Sequence, residues 1–227
     1  MLRKEVSVGD LEGLKGVLFD CYKTLIDIRT DETHRSTWDS LSRWLLYHGV
    51  RIDAKTLRDE YRNGTHRLIL QAGERHPEIR VEEVFSDIVR RYRIWEQDEY
   101  VLGCHCARAF RSASLRRKRV FPESLRLLEH FHHLKRGLVS NGQRIFSEPE
   151  LRHLDLHQHF DVIVYSSDLG YKKPDPRIFF RALDTLSIAP EEALFVGDSY
   201  ENDLAGAEKI GMRACHIRDA WLIPDMV

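Results

Sequence analysis

The chain has little cysteine, no long apolar run and almost no net charge, and each shortage removes a class of protein. Four cysteines (Cys21, Cys104, Cys106 and Cys215) in 227 residues are too few and too scattered for a disulfide framework. A reducing cytoplasm is the expected compartment. Nowhere do about 18 apolar residues follow one another, as a membrane-spanning helix requires. The segment Met1 to Asp10 has basic residues but not the apolar stretch of a secretory signal. A soluble, unprocessed chain is expected. Lys and Arg total 35 against 36 Asp and Glu, so no excess of charge points to a nucleic acid or a membrane as partner. No stretch repeats at a fixed period, and none is of low complexity. Cys104-His105-Cys106 lacks a second cysteine pair, and positions two apart on a helix face different ways, so no structural zinc is expected.

What is present is a chain long enough for a core domain that carries a smaller one. Between Arg29 and Lys118 there are 18 basic and 14 acidic residues, against 17 and 22 in the remainder. The basic excess suits a segment facing an anionic substrate, although solvated surface is the simpler reading. Within this segment Trp38, Leu41, Leu45 and His48 fall three or four apart, as do Val84, Ile88 and Tyr92, so each set shares one helix face. Breaks are expected at Gly49, Gly64, Gly73, Pro77 and Gly103, giving three or four helices packed as a bundle. Arg116-Arg117-Lys118-Arg119 reads as a solvated linker where this segment rejoins the rest.

Outside it the texture is of alternating strands and helices. Short apolar runs at 17–19, 137–140, 162–165, 193–196 and 213–217 read as strands, separated by helical stretches at 122–131, 145–156, 176–186 and 202–210. Pro122 and Pro176 stand where proline favours the first helical turn, and Gly211 stops the last helix. Strands alternating with helices imply a parallel sheet of βαβ units. The expected fold is therefore α/β, with a Rossmann-like core over 1–28 and 119–227 and an inserted helical-bundle cap over 29–118.

Several strands end on residues able to do chemistry. Val17, Leu18 and Phe19 lead to Asp20, with Tyr22, Lys23 and Thr24 beyond. The strand at 137–140 ends on Ser140 and Asn141, and the one at 193–196 on Gly197 and Asp198, with Asp203 shortly after. The run Lys172-Lys173-Pro174-Asp175-Pro176 precedes a helix. Each alone reads as a turn, a helix cap or a loop lysine. Together they belong at one edge of a parallel sheet, where the carboxyl ends of neighbouring strands converge and ligands bind. Cys21, next to Asp20, is expected to point into the sheet, and the histidines at 130, 132, 133, 153, 157 and 159 to lie at the surface.

With these residues the chain resembles the haloacid dehalogenase-like hydrolase superfamily. Asp20 with Thr24 matches its first motif, Ser140 the second, Lys173 before Pro174 the third, and Gly197-Asp198 with Asp203 the fourth. The helical insertion lies where the family often carries a cap. The resemblance implies a covalent mechanism, with Asp20 as nucleophile, Ser140 and Lys173 binding the transferred group, and Thr24 and Asn141 completing the substrate-binding set. It implies Mg²⁺ held by Asp20, Asp198 and a backbone carbonyl assigned to Tyr22, hard oxygen donors that this ion prefers. Asp203 is then an acid behind the metal or a further ligand. Three carboxylates against one ammonium leave a charge of about −2, which one Mg²⁺ cancels so that an anionic substrate can approach.

Two positions depart from the pattern. Most phosphatases of the family have a second Asp where this chain has Tyr22, a phenol that at its ordinary pKa of about 10 is a poor base. Tyrosine there resembles the 2-haloacid dehalogenase branch, in which halide leaves without a proton. Lys23 stands where the family usually has glycine. Asp198 points the other way from Tyr22, since the resemblance implies that the dehalogenases lack an acid there. The expected activity is Mg²⁺-dependent hydrolysis of a small phosphorylated metabolite through an aspartyl-phosphate. The alternatives are haloacid hydrolysis by the same Asp20, or a weakly catalytic binding protein that keeps the pocket.

Overall fold

The computed structural model describes residues 11–226. Met1 to Asp10, read above as lacking a signal, lie outside them. The first strand, β1 (Gly16–Phe19), is wholly buried, as a strand covered on both faces must be. Val17 and Phe19 enter one apolar cluster and Leu18 another, the period of two expected of a strand.

After a tight loop comes β2 (Ile26–Thr30), followed by four helices: α1 (Arg35–Tyr47), α2 (Ala54–Gln71), α3 (Val81–Tyr92) and α4 (Glu99–Ser114). They share an apolar core in which the rings of Trp38, Tyr61, Phe85 and Phe110 lie 5.0 to 5.5 Å apart. The face carrying Trp38, Leu41 and Leu45 is buried as the spacing predicts. His48 falls just past the helix as its cap.

Two of the expected breaks are not breaks. Gly64 and Gly103 lie inside α2 and α4, at points where helices approach closely. A methyl group at Gly103 would stand 2.7 Å from Ser86 N and 2.9 Å from the Glu82 carbonyl. Sequence spacing cannot distinguish a glycine that ends a helix from one that lets a neighbour in. Gly103→Ala should therefore destabilise the chain by about 1–3 kcal/mol through overpacking, despite a gain in helix propensity of about 1 kcal/mol. Urea unfolding measures this, and a raised midpoint would contradict the close approach.

The basic run is not a linker either. It lies in β3 (Leu115–Val120), which pairs antiparallel with β2. Arg117 and Arg119 project from alternate positions onto Asp27, at 2.7 and 2.9 Å. Asp27 neutralises part of the run, and its carboxyl is held below the usual range by the hydrogen bond from Arg117.

The chain continues with α5 (Pro122–His130), β4 (Lys135–Ser140), α6 (Arg144–His153), β5 (Val162–Tyr165), α7 (Ser166–Leu169), α8 (Pro176–Leu186) and β6 (Ala193–Gly197). The expected helix over 202–210 is instead a π-helical turn, Tyr200–Leu204, running into α9 (Ala205–Glu208). Then come β7 (Arg213–His216) and α10 (Ile217–Ala220). The five core strands are parallel in the order β5-β4-β1-β6-β7. From β1 the chain steps outward to β4 and β5, then returns to the other side of β1. That reversal opens a crevice outside the carboxyl ends of β1 and its neighbours. Among the described residues no helix is long and apolar enough to cross a membrane.

Candidate active site

Asp20 follows the last residue of β1 and is tied to the next strand by a hydrogen bond from its amide to the Val196 carbonyl, 2.9 Å. Its carboxylate accepts from Lys173 Nζ at 2.6 Å. The same ammonium reaches Asp203 Oδ1 at 2.7 Å and the Val139 carbonyl at 2.8 Å, so its three donors are used. Lys173, which alone reads as a solvated loop lysine, is 1% exposed. It is held there by Asn141, whose side-chain amide donates to the Lys173 carbonyl at 3.0 Å and accepts from the Lys173 amide at 2.7 Å. The Asn141 side chain thus holds the lysine backbone with its oxygen and one of its two amide N–H donors.

Asp203 is carried on the π-helical turn after β6, and its second oxygen accepts from the Ser199 amide at 3.0 Å. Gly197 makes room for it, since a Cβ there would come 2.5 Å from Asp203 Oδ2. Asp198 is half-buried, and its carboxylate makes no hydrogen bond or ion pair with any described residue. Oxygens of Asp20, Asp198 and Asp203 lie within 4.8 Å of one another. Such a set of hard donors fits a small divalent cation.

Charge is unevenly balanced. Burial raises the Asp20 carboxyl to about 6 against the pull of Lys173, with Asp203 and Asp198 adding to the rise. Asp198 is raised too, by burial and then by Asp203. Burial would lower Lys173, but Asp20 and Asp203 outweigh it and hold the ammonium above its ordinary value. One cation shared between two buried carboxylates gains more than either of them does.

Ser140 Oγ is buried and has no hydrogen-bond partner among the described residues. An orphaned hydroxyl at a strand end is an open donor. Gly142 keeps the space beside it clear, since a Cβ there would meet Ser140 Oγ at 2.8 Å. Thr24 is fully buried, and its carbonyl accepts from Ser124 Oγ at 2.6 Å. Its own hydroxyl is also unpartnered. Lys23 occupies the left-handed region, φ 63°, so the loop keeps the turn that a glycine would make. A side chain there costs about 1–2 kcal/mol.

Tyr22 is turned toward α6. Its hydroxyl donates to Glu150 Oε2 at 2.7 Å and lies 2.9 Å from Ser147 Oγ. Burial, with Cys21 and Glu150 adding to it, holds the phenol well above its ordinary range. Glu150 in turn accepts from Arg111 of α4, at 2.7 and 3.3 Å. Gln143 bridges the same gap, accepting from the Val81 amide at the start of α3 and donating to Glu78 and the Ile79 carbonyl. Arg111, Glu150, Gln143 and Glu78 carry no spacing signal in the sequence, and only their burial and partners bring them to notice. Tyr22, Glu32, Arg111, Asn141, Gly142 and Gln143 help to line a cavity of about 270 Å³ between the helical layer and the sheet edge. A larger cleft of about 720 Å³ shares Arg111 and Phe146 with it but holds none of the strand-end residues.

The family model of haloacid dehalogenase-like hydrolases matches residues 14–211, and the chain belongs to that family. It is similar to glyceraldehyde 3-phosphate phosphatase of Methanopyrus kandleri, with 27% identity over 209 residues that make up 90% of this chain and 84% of that protein. Phosphoserine phosphatase of Thermus thermophilus is 36% identical over 112 residues, 48% of this chain and 45% of that one. The fold is shared with 2-haloacid dehalogenase of Pseudomonas syringae pv. Tomato DC3000. That structure has TM-score 0.67 and 22% identity, covering 94% of this chain and 97% of the other.

Proposed function

We propose that the chain is a Mg²⁺-dependent phosphatase of small phosphorylated metabolites. The observation that carries this reading is the excess of negative charge at the site: Asp20, Asp198 and Asp203 cluster together, while the ammonium beside them, Lys173, pairs with Asp20 and Asp203. Without a cation such a site repels a phosphate. The two relatives named as phosphatases support the same reading. In this proposal Asp20 and Asp198 hold the ion together with a backbone carbonyl of the Asp20 loop, and the ion supplies positive charge for the phosphoryl oxygens. Asp203, both of whose oxygens are engaged, holds Lys173 in place.

The Asp20 carboxylate attacks phosphorus, the bond to the leaving oxygen breaks, and an aspartyl-phosphate forms. Ser140 Oγ donates to a phosphoryl oxygen, and Lys173 offsets the charge on the transferred group. Water then attacks the phosphorus and releases Asp20. Tyr22 does not serve as base for that water, because its phenol stays protonated at neutral pH. Residues 29–118 act as a cap over the 1–28 and 119–227 core, and the cavity between them receives the leaving group.

A second reading, haloacid hydrolysis by Asp20, is favoured by Tyr22 alone. Purified protein given p-nitrophenyl phosphate and 2-chloropropionate, each with Mg²⁺ and with chelator, separates the two. Mg²⁺-dependent phosphate release is expected. Chelator-resistant chloride release without phosphate release would overturn the proposal in favour of the second reading.

A further inference from the structure

The cavity between the helical layer and the sheet edge is not electrically neutral. Three ionisable groups on its wall are Glu32, Glu78 and Arg111. Glu78 is fixed in place by neutral donors, its oxygens accepting from Gln143 Nε2 at 3.1 Å, the Ile79 amide at 3.0 Å and Ser166 Oγ at 2.9 Å, so its charge adds to that of Glu32 on the wall. Arg111 is spent, forked onto the buried carboxylate of Glu150. Glu32 is different. Its carboxylate has no hydrogen bond from any described residue, and its nearest cation is Arg111 Nη1 at 4.0 Å. The Glu32 side chain is 42% exposed, so water still reaches it, and its partial burial raises the carboxyl with Arg111 opposing the rise. The rings of Tyr22 and Tyr61 border the same space, that of Tyr22 with Arg111 already over it and that of Tyr61 packed against Trp38, Phe85 and Phe110.

We propose that Glu32 selects substrates by the charge of the leaving group, so that the preferred phosphomonoester carries a cation such as a primary ammonium and carboxylated leaving groups are rejected. This rests on the phosphatase reading of the same site. An ammonium entering the cavity supplies the charge that Arg111, held by Glu150, does not give to Glu32. A carboxylate entering it meets Glu32 with no free cation on the wall to receive it. Like charges brought together at a wall that is partly shielded from water repel more strongly than in bulk solvent, and the exposed part of Glu32 moderates that repulsion.

The test compares kcat/KM for O-phosphoethanolamine, glycerol phosphate and phosphoglycolate, with p-nitrophenyl phosphate as the control for turnover. O-Phosphoethanolamine should exceed phosphoglycolate by about tenfold or more, with glycerol phosphate between them. Glu32→Gln should bring the ratio of the charged pair toward unity, chiefly through KM, and Glu32→Asp should retain the preference. Phosphoglycolate turned over as well as O-phosphoethanolamine would overturn the proposal, and so would a ratio unchanged by Glu32→Gln. Turnover of p-nitrophenyl phosphate in either case leaves the phosphatase reading standing. Failure to turn over p-nitrophenyl phosphate or any of the three phosphates defeats that reading and this proposal with it.

Discussion

Asp20→Asn is expected to lower phosphate release by at least about 10³-fold in kcat, and yet to melt at a higher temperature than the parent at pH 8 without metal. On the proposed mechanism activity is lost with the nucleophile, since an amide oxygen does not form the phosphoryl ester. The gain in stability follows from where Asp20 sits. Burial raises its carboxyl from 3.8 to about 6 in the folded chain. Between those values the folded state binds the proton more tightly than the unfolded state, so stability falls as pH rises through that window. Above it the ionised group costs up to about 3 kcal/mol. Asparagine removes this penalty and keeps an oxygen for Lys173, which retains Asp203 as its counter-charge. The stabilisation should be clear at pH 8 and small at pH 4, where the parent carboxyl is largely protonated when folded. Thermal melts across that range measure it, and an equal difference at both ends would show that Asp20 is not the group responsible.

Lys173→Met is expected to do the opposite. Asp20 and Asp203 are 7% and 2% exposed, and without the ammonium they face each other with no cation. Removing one partner of a buried charge cluster typically costs about 3–5 kcal/mol, which in a chain of this size lowers the melting temperature by about 10 °C. Asn141 would also lose its purpose, because its amide holds the Lys173 backbone in place for the side chain. Adding Asp20→Asn to Lys173→Met should recover part of the loss, since one of the two unpaired charges is then gone. The two substitutions are coupled through one hydrogen bond, so their effects do not add. A single variant that melts within about 2 °C of the parent would mean that the cluster is already neutral in the absence of Lys173.

Legibility in the sequence varied with the range of the interaction involved. Short apolar runs ending on Asp20, Ser140 and Gly197-Asp198 were readable because a strand's burial and its polar exit are local properties of a few residues. Helix faces such as Trp38, Leu41 and Leu45 were readable for the same reason. Gly64, Gly103 and the Arg116–Arg119 run depart from what their local sequence predicts because what surrounds them comes from elsewhere in the chain: Val84 beside Gly64, Ser86 and Glu82 beside Gly103, and β2 with Asp27 beside the basic run.

The same division holds at the site. The sequence alone determined which acids, hydroxyl and lysine stand at the strand ends, and their order along the chain, because hydrophobic periodicity and turn chemistry act over a few residues. Only the tertiary structure decided how they share charge. It set one ammonium between Asp20 and Asp203, turned Tyr22 onto Glu150 and Arg111, committed Asn141 to the Lys173 backbone, and left Glu32 nearly unpaired in the cavity. Burial and charge pairing depend on neighbours brought together from distant segments, and the balance between them fixes the protonation and freedom of each group.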